Sequence, residues 1–200
     1  MTSFFATRRA AGVWGIAFVV LLLVSAAIVS LPTASESSDR IASFYKAHGQ
    51  LIVIQQVLGA IALVPLTAFI LSLRSNRWLR PALVVFAAVE LVTNVVPLVI
   101  LAAADRATSL TLVEDLADSA LFAATAVLVV AATLAEPVWL RAVAVLVAGT
   151  CALRAILAPL GVSALDALAP LAFVALILLL SIRVLAGAGG GRVRPAEDPA

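Results

Sequence analysis

Residues 82–104 read ALVVFAAVELVTNVVPLVILAAA, an apolar run broken by one charge, Glu90, and one amide, Asn94. A helix needs about 20 largely apolar residues to cross hydrocarbon at about 1.5 Å per residue, and this stretch meets that length. Five further runs meet it or come near it: residues 12–31, 51–73, 119–135, 138–160 and 168–186. In lipid the backbone must satisfy its own hydrogen bonds, and runs of this length do so as helices, not barrel strands. The chain therefore reads as an all-α, polytopic membrane bundle of six transmembrane helices. Residues 1–186 form that domain, and residues 187–200, with four glycines and two prolines, are expected to be a disordered tail.

Composition supports the same class. Of 200 residues 64% are hydrophobic and 12% charged, with a mean hydropathy of +1.19, where soluble domains are apolar at about one half. The net charge is only +2, and no basic stripe with interleaved aromatics is present, which sets nucleic acid aside as a partner. A single cysteine, Cys151, and a single histidine, His48, leave no intrachain disulfide and no Cys/His metal cluster. No cofactor motif, Walker A, HExxH or GxSxG is found, so no catalytic residue is assigned. Cys151, in an apolar run, reads as a small packing residue. Lys46 is the only lysine beside twelve arginines, a bias typical of a GC-rich bacterial genome.

Charge placement gives an orientation. Arg8, Arg9, Arg74, Arg77, Arg80, Arg141, Arg183, Arg192 and Arg194 fall on one side if six helices alternate. The other side collects Glu36, Asp39, Arg40, Lys46, Asp105, Arg106, Glu114, Asp115, Asp118 and Asp166. Short cytoplasmic loops gather Arg and Lys, so both termini are expected in the cytoplasm, with the chain multi-pass in a bacterial plasma membrane. The first run also resembles a cleaved signal, with Arg8 and Arg9 before it and small residues around Ala34, but its apolar core is long for one.

Two outer loops carry local order. Ile41, Phe44, Tyr45 and His48 stand at helical spacing and suggest a helix at the interface before the second span. Thr111 and Glu114 have capping-box spacing, which suggests that the fourth span begins early. The triplet Trp78-Leu79-Arg80 recurs as Trp139-Leu140-Arg141. Either residues 51–104 and 119–160 are parallel repeats, or two interfacial turns have converged on the same anchors.

Polar residues inside the spans carry the functional signal. A charge at mid-bilayer costs about 2.5–3.5 kcal/mol on insertion scales, so such groups face the bundle interior and find partners. Counted from the tryptophan at the start of each span, Glu90 and Arg154 lie at ~18 and ~22 Å, which predicts a Glu90–Arg154 ion pair. Asn94 shares the face of Glu90, and Gln55, Gln56 and Thr125 come to a similar height from the other end. His48, Asp118 and Asp166 would form a rim above this layer. Glu90, Arg154, Asn94, Gln55 and Thr125 are thus the candidate pocket. The layer is either interhelical glue or an outward-facing site for a lipid-like or small polar ligand, or an ion path.

The loop Ser38-Asp39-Arg40-Ile41-Ala42-Ser43-Phe44-Tyr45-Lys46-Ala47-His48, the inward Glu90 and the turn Glu136-Pro137-Val138-Trp139-Leu140-Arg141 before Ala148-Gly149 resemble a set of short six-span bacterial membrane proteins. That set is abundant in actinobacteria and known only as a domain of unknown function. The resemblance implies one six-helix domain in the plasma membrane and brings no substrate, cofactor or activity with it. Three roles follow from the residues: a non-enzymatic structural, accessory or lipid-binding protein; a small permease or ion-coupled carrier; and an interfacial enzyme using His48 with Asp118 or Asp166.

Overall fold

A computed structural model describes residues 8–73, 76–103 and 106–189. The expected disordered segment from 190 onward, with Arg192 and Arg194, lies outside the described residues, as do Arg74 and Asp105. Six α-helices follow in order: α1 (Arg8–Ala26), α2 (Ser38–Ser72), α3 (Leu79–Ala102), α4 (Ala107–Thr133), α5 (Val138–Leu157) and α6 (Leu168–Gly189). All six are long and apolar enough to cross a bilayer. Helix α6 continues to Gly189, so residues 187–189 belong to it and not to a tail.

Each helix packs on its neighbours in sequence, α1 closes on α6, and α2 also reaches α4 across the interior. Short links reverse the chain each time. One end of the bundle, the basic end, gathers the turns that carry Arg77, Arg80 and Arg141 and the last turns of α6. There Glu136, between α4 and α5, pairs with Arg183 of α6 at 3.0 Å, and Asn76 Nδ2 donates to Ala131 O at 2.7 Å. Leu79 and Leu140, the middle residues of the repeated triplet, are both buried, while Trp78 and Trp139 are both exposed.

The bundle is apolar on its perimeter as well as inside. Val64, Val84 and Leu146 are 65%, 67% and 72% exposed, and comparable side chains ring the other helices, as expected of a surface solvated by lipid. The main core lies toward the basic end and includes Phe18, Leu66, Phe69, Phe86, Leu128 and Phe173. A smaller cluster near the other, acidic end joins Ile41, Tyr45 and Ile52 of α2 to Ile100 of α3 and Ala107 of α4.

Several boundaries differ from the apolar runs. Helix α1 stops at Ala26, five residues before its run ends at Leu31, and Pro32 disfavours helical backbone at the end of the segment that follows. Gln55 Nε2 donates to Val29 O at 2.9 Å, so a side chain satisfies backbone in the released segment, and Ser25 Oγ of α1 donates to Gln55 O of α2 at 2.9 Å. Helix α2 is 35 residues long, about 52 Å at the standard rise. The 38–48 stretch is therefore its first three turns and not a separate interfacial helix. Helix α4 does begin early, at Ala107, but its N-cap is Arg106 and not Thr111. Thr111 donates to Ala107 O at 2.8 Å inside the helix. After α5 a 3-10 turn, Ala158–Leu160, ends at Gly161, whose φ of 79° is the left-handed conformation that glycine adopts at low cost.

The α1–α6 seam rests on missing side chains. A methyl group on Gly12 would meet Leu185 Cγ and lie 2.8 Å from Ser181 O, a backbone atom that cannot swing aside. By contrast Gly149 faces open space, with nothing within 4 Å of an added Cβ. It borders a lipid-facing apolar groove between α3, α4 and α5. Also on α5, Ala144 and Ala148 are buried. Overpacking costs about 1–3 kcal/mol, so Gly12→Ala is expected to lower the unfolding midpoint in mixed detergent micelles. Gly149→Ala should leave that midpoint unmoved or raise it slightly through helix propensity.

Candidate functional site

Between the two apolar clusters the bundle does not fill its interior. Five of the six helices line a half-open cavity of about 370 Å³ toward the acidic end. Its wall includes Ser25 of α1, Gln55, Gln56 and Gly59 of α2, Glu90, Thr93 and Asn94 of α3, Glu114, Asp115 and Asp118 of α4, and Arg154 of α5. Leu31, Pro32 and Thr33 of the α1–α2 link complete it. That link is tied down where Ala34 N donates to Asp115 Oδ2 at 2.9 Å.

Helical spacing explains the gathering. Glu114 and Asp118 stand one turn apart on α4 and so share a face. Glu90 and Asn94 do the same on α3, as Gln56 and Gly59 do on α2. Asn94 Nδ2 donates to Glu90 O at 2.6 Å and to Glu90 Oε1 at 3.1 Å. Its Oδ1 lies against Gly59, where an added methyl group would collide with it. Glycine at 59 therefore lets the amide approach the α2 backbone.

The predicted Glu90–Arg154 ion pair does not form. Arg154 Nη2 instead pairs with Asp118 Oδ2 at 2.7 Å and Nε approaches Asp166 Oδ1 at 3.3 Å. The guanidinium carbon sits 3.9 Å from the centroid of the Phe122 ring, in cation–π range. The reason is rotational. Glu90 and Arg154 line the same cavity, but the face of α5 bearing Arg154 turns toward α4 and the α5–α6 link. Rise along a helix gives height and not azimuth.

The other predicted residues divide. Gln55, Asn94, Glu90, Arg154 and Asp118 line the cavity. Thr125 does not: it is buried lower on α4 and donates to Leu121 O at 2.8 Å. Asp166 reaches the site only through Arg154. His48 stands apart, with Nδ1 3.0 Å from Phe44 O and its ring stacked on Phe44 at 4.5 Å. It does not line the cavity that holds Asp118. Cys151 is fully buried against Ala169 O at 3.9 Å.

Two participants escaped sequence reading. Glu114 is buried and accepts a 2.7 Å hydrogen bond from Tyr45 Oη, which joins the long α2 to α4 above the cavity. The signal for Tyr45 was the buried stripe Ile41, Tyr45, Ile52, Gln56, Gly59, Leu63, Leu66 and Ile70, whose steps of three, four and seven carry one helix through the whole stretch.

The bonding is incomplete. Gln56 is 8% exposed, lines the cavity and makes no hydrogen bond among the described residues. In the same wall Gln55 Oε1 and Arg154 Nε and Nη1 are buried without a hydrogen-bond partner. Most buried polar groups in proteins are satisfied, so unpartnered polar groups gathered on one cavity wall are informative. No group of three or more His, Cys, Asp or Glu among the described residues is arranged to hold a metal ion. Comparison with family models, curated proteins and solved structures gives no match.

Proposed function

We propose that this multi-pass membrane protein binds a small polar solute, without catalysis, in the cavity between α1 and α5. The acidic end faces outward and both termini lie in the cytoplasm of a bacterial plasma membrane, as the arginine distribution favours. The unsatisfied Gln56 carries the reading. If the polar layer were only glue, its amides and charges would be used up in bonds between helices. Instead one amide is free and the space beside it is within the range of small-molecule sites, about 300–1,000 Å³. The apolar core toward the basic end closes the cavity below, which suits a binding protein. A carrier would have to part Leu66, Phe69, Phe86 and Leu128 during its cycle.

Gln56→Leu separates binding from glue. An amide bond within a membrane bundle is worth about 0.6 kcal/mol on average and at most about 1.7, so glue predicts a loss of that size. The binding reading expects unchanged stability in lipid nanodiscs, because the Gln56 amide makes no bond to another helix that the substitution could remove. A clear loss of stability in Gln56→Leu would count against the site.

A further inference from the structure

We infer that the solute is a small organic cation bearing an ammonium or guanidinium group, an inference that rests on the binding reading above. Four carboxylates line the cavity, Glu90, Glu114, Asp115 and Asp118, against one guanidinium, Arg154. Arg154 is already engaged by Asp118 and by Asp166 from outside the wall. The remaining carboxylates have only neutral donors: Asn94 for Glu90, Tyr45 for Glu114 and the Ala34 amide for Asp115.

A carboxylate offers about four acceptor sites over its two oxygens, so one neutral donor each leaves Glu90, Glu114 and Asp115 short of hydrogen. The free amide of Gln56 offers a carbonyl acceptor and two N–H donors on the same wall. The wall is not without donors, since Arg154 Nη1 and the Gln56 amide nitrogen have no hydrogen-bond partner. What it holds in excess is carboxyl groups, four against one guanidinium, and an ammonium or guanidinium supplies the matching charge and donors. A bare metal ion does not fit, since the acids come from different turns and helices and never converge as a ligand set. At about 370 Å³ the cavity has room for a cation with a short carbon skeleton. An anion would meet three carboxyl groups without a cationic partner, and a neutral polyol would bring them no charge to pair with.

Isothermal titration of the full chain in nanodiscs with putrescine, agmatine and methylammonium as cations, glycerol as a neutral probe and succinate as an anion tests this. At least one organic cation is expected to bind saturably, at least tenfold more weakly to Glu90→Gln, and not at all to Gln56→Trp, whose indole fills the cavity. Asp115→Asn carries the same tenfold expectation should Glu90→Gln fail to fold. Binding of glycerol or succinate that Gln56→Trp abolishes would overturn the cation assignment and leave the binding reading intact. Cation binding indifferent to Glu90→Gln, Asp115→Asn and Gln56→Trp would place it on the surface and overturn the assignment. No binding by any probe would overturn both.

Discussion

Arg154→Leu is expected to cost about 2–3 kcal/mol of stability, less than the 3–5 typical when a buried pair loses one partner. The reduction follows from geometry. The Arg154 side chain is 11% exposed, but those of Asp118 and Asp166 are 40% and 47% exposed, so water relieves part of their stranded charge. What is lost entirely is the cation–π contact with Phe122 and the cross-link from α5 to both α4 and the α5–α6 link. Arg154→Lys should recover only part, because an ammonium neither stacks as a plane nor spans two carboxylates as a fork does. Double-mutant cycles read by reversible unfolding in mixed micelles identify the partner. Coupling of Arg154 with Asp118 should exceed 1 kcal/mol, and coupling with Glu90 should fall below about 0.5 kcal/mol, the scale for residues not in contact.

Gly59→Leu is the second large effect. Asn94 Oδ1 lies where the new Cβ must go, and Asn94 is 7% exposed and bonded through Nδ2 to Glu90. Either α2 and α3 separate or Asn94 abandons Glu90, and overpacking of this kind costs about 1–3 kcal/mol. The remaining methyl groups of the leucine enter the cavity. Gly59→Leu should therefore lose stability and solute binding together, whereas Gln56→Leu should lose binding without losing stability. Gly59→Ala, with one methyl group, should fall between them.

The six helices were legible because lipid imposes a length rule that apolar runs obey or break visibly. Helix ends were less so, since a run such as 12–31 stays apolar after the helix has stopped. The bond that satisfies Val29 O in the released segment comes from Gln55, a sequence-distant residue on α2. Within the site, Glu90, Asn94, Gln55 and Arg154 were found because polar residues in hydrocarbon are conspicuous. Their pairing was not, because Asp118 was assigned to a rim above a span starting at Ser119. With α4 beginning at Ala107, Asp118 lies eleven residues into the helix, beside Phe122 on the face that Arg154 meets. Thr125 was misassigned to the pocket by the same counting, and a threonine can satisfy its hydroxyl on its own helix, as this one does on Leu121.

A polar cavity that water reaches from one end and that stops at an apolar floor is the claim on which the functional reading turns. Cysteine accessibility in nanodiscs, where both faces are open, measures it in a background carrying Cys151→Ala. Gln56→Cys should react with a charged methanethiosulfonate, and Leu66→Cys, ten residues further along α2 and fully buried, should not. Silence at both positions, or reaction at both, would contradict it.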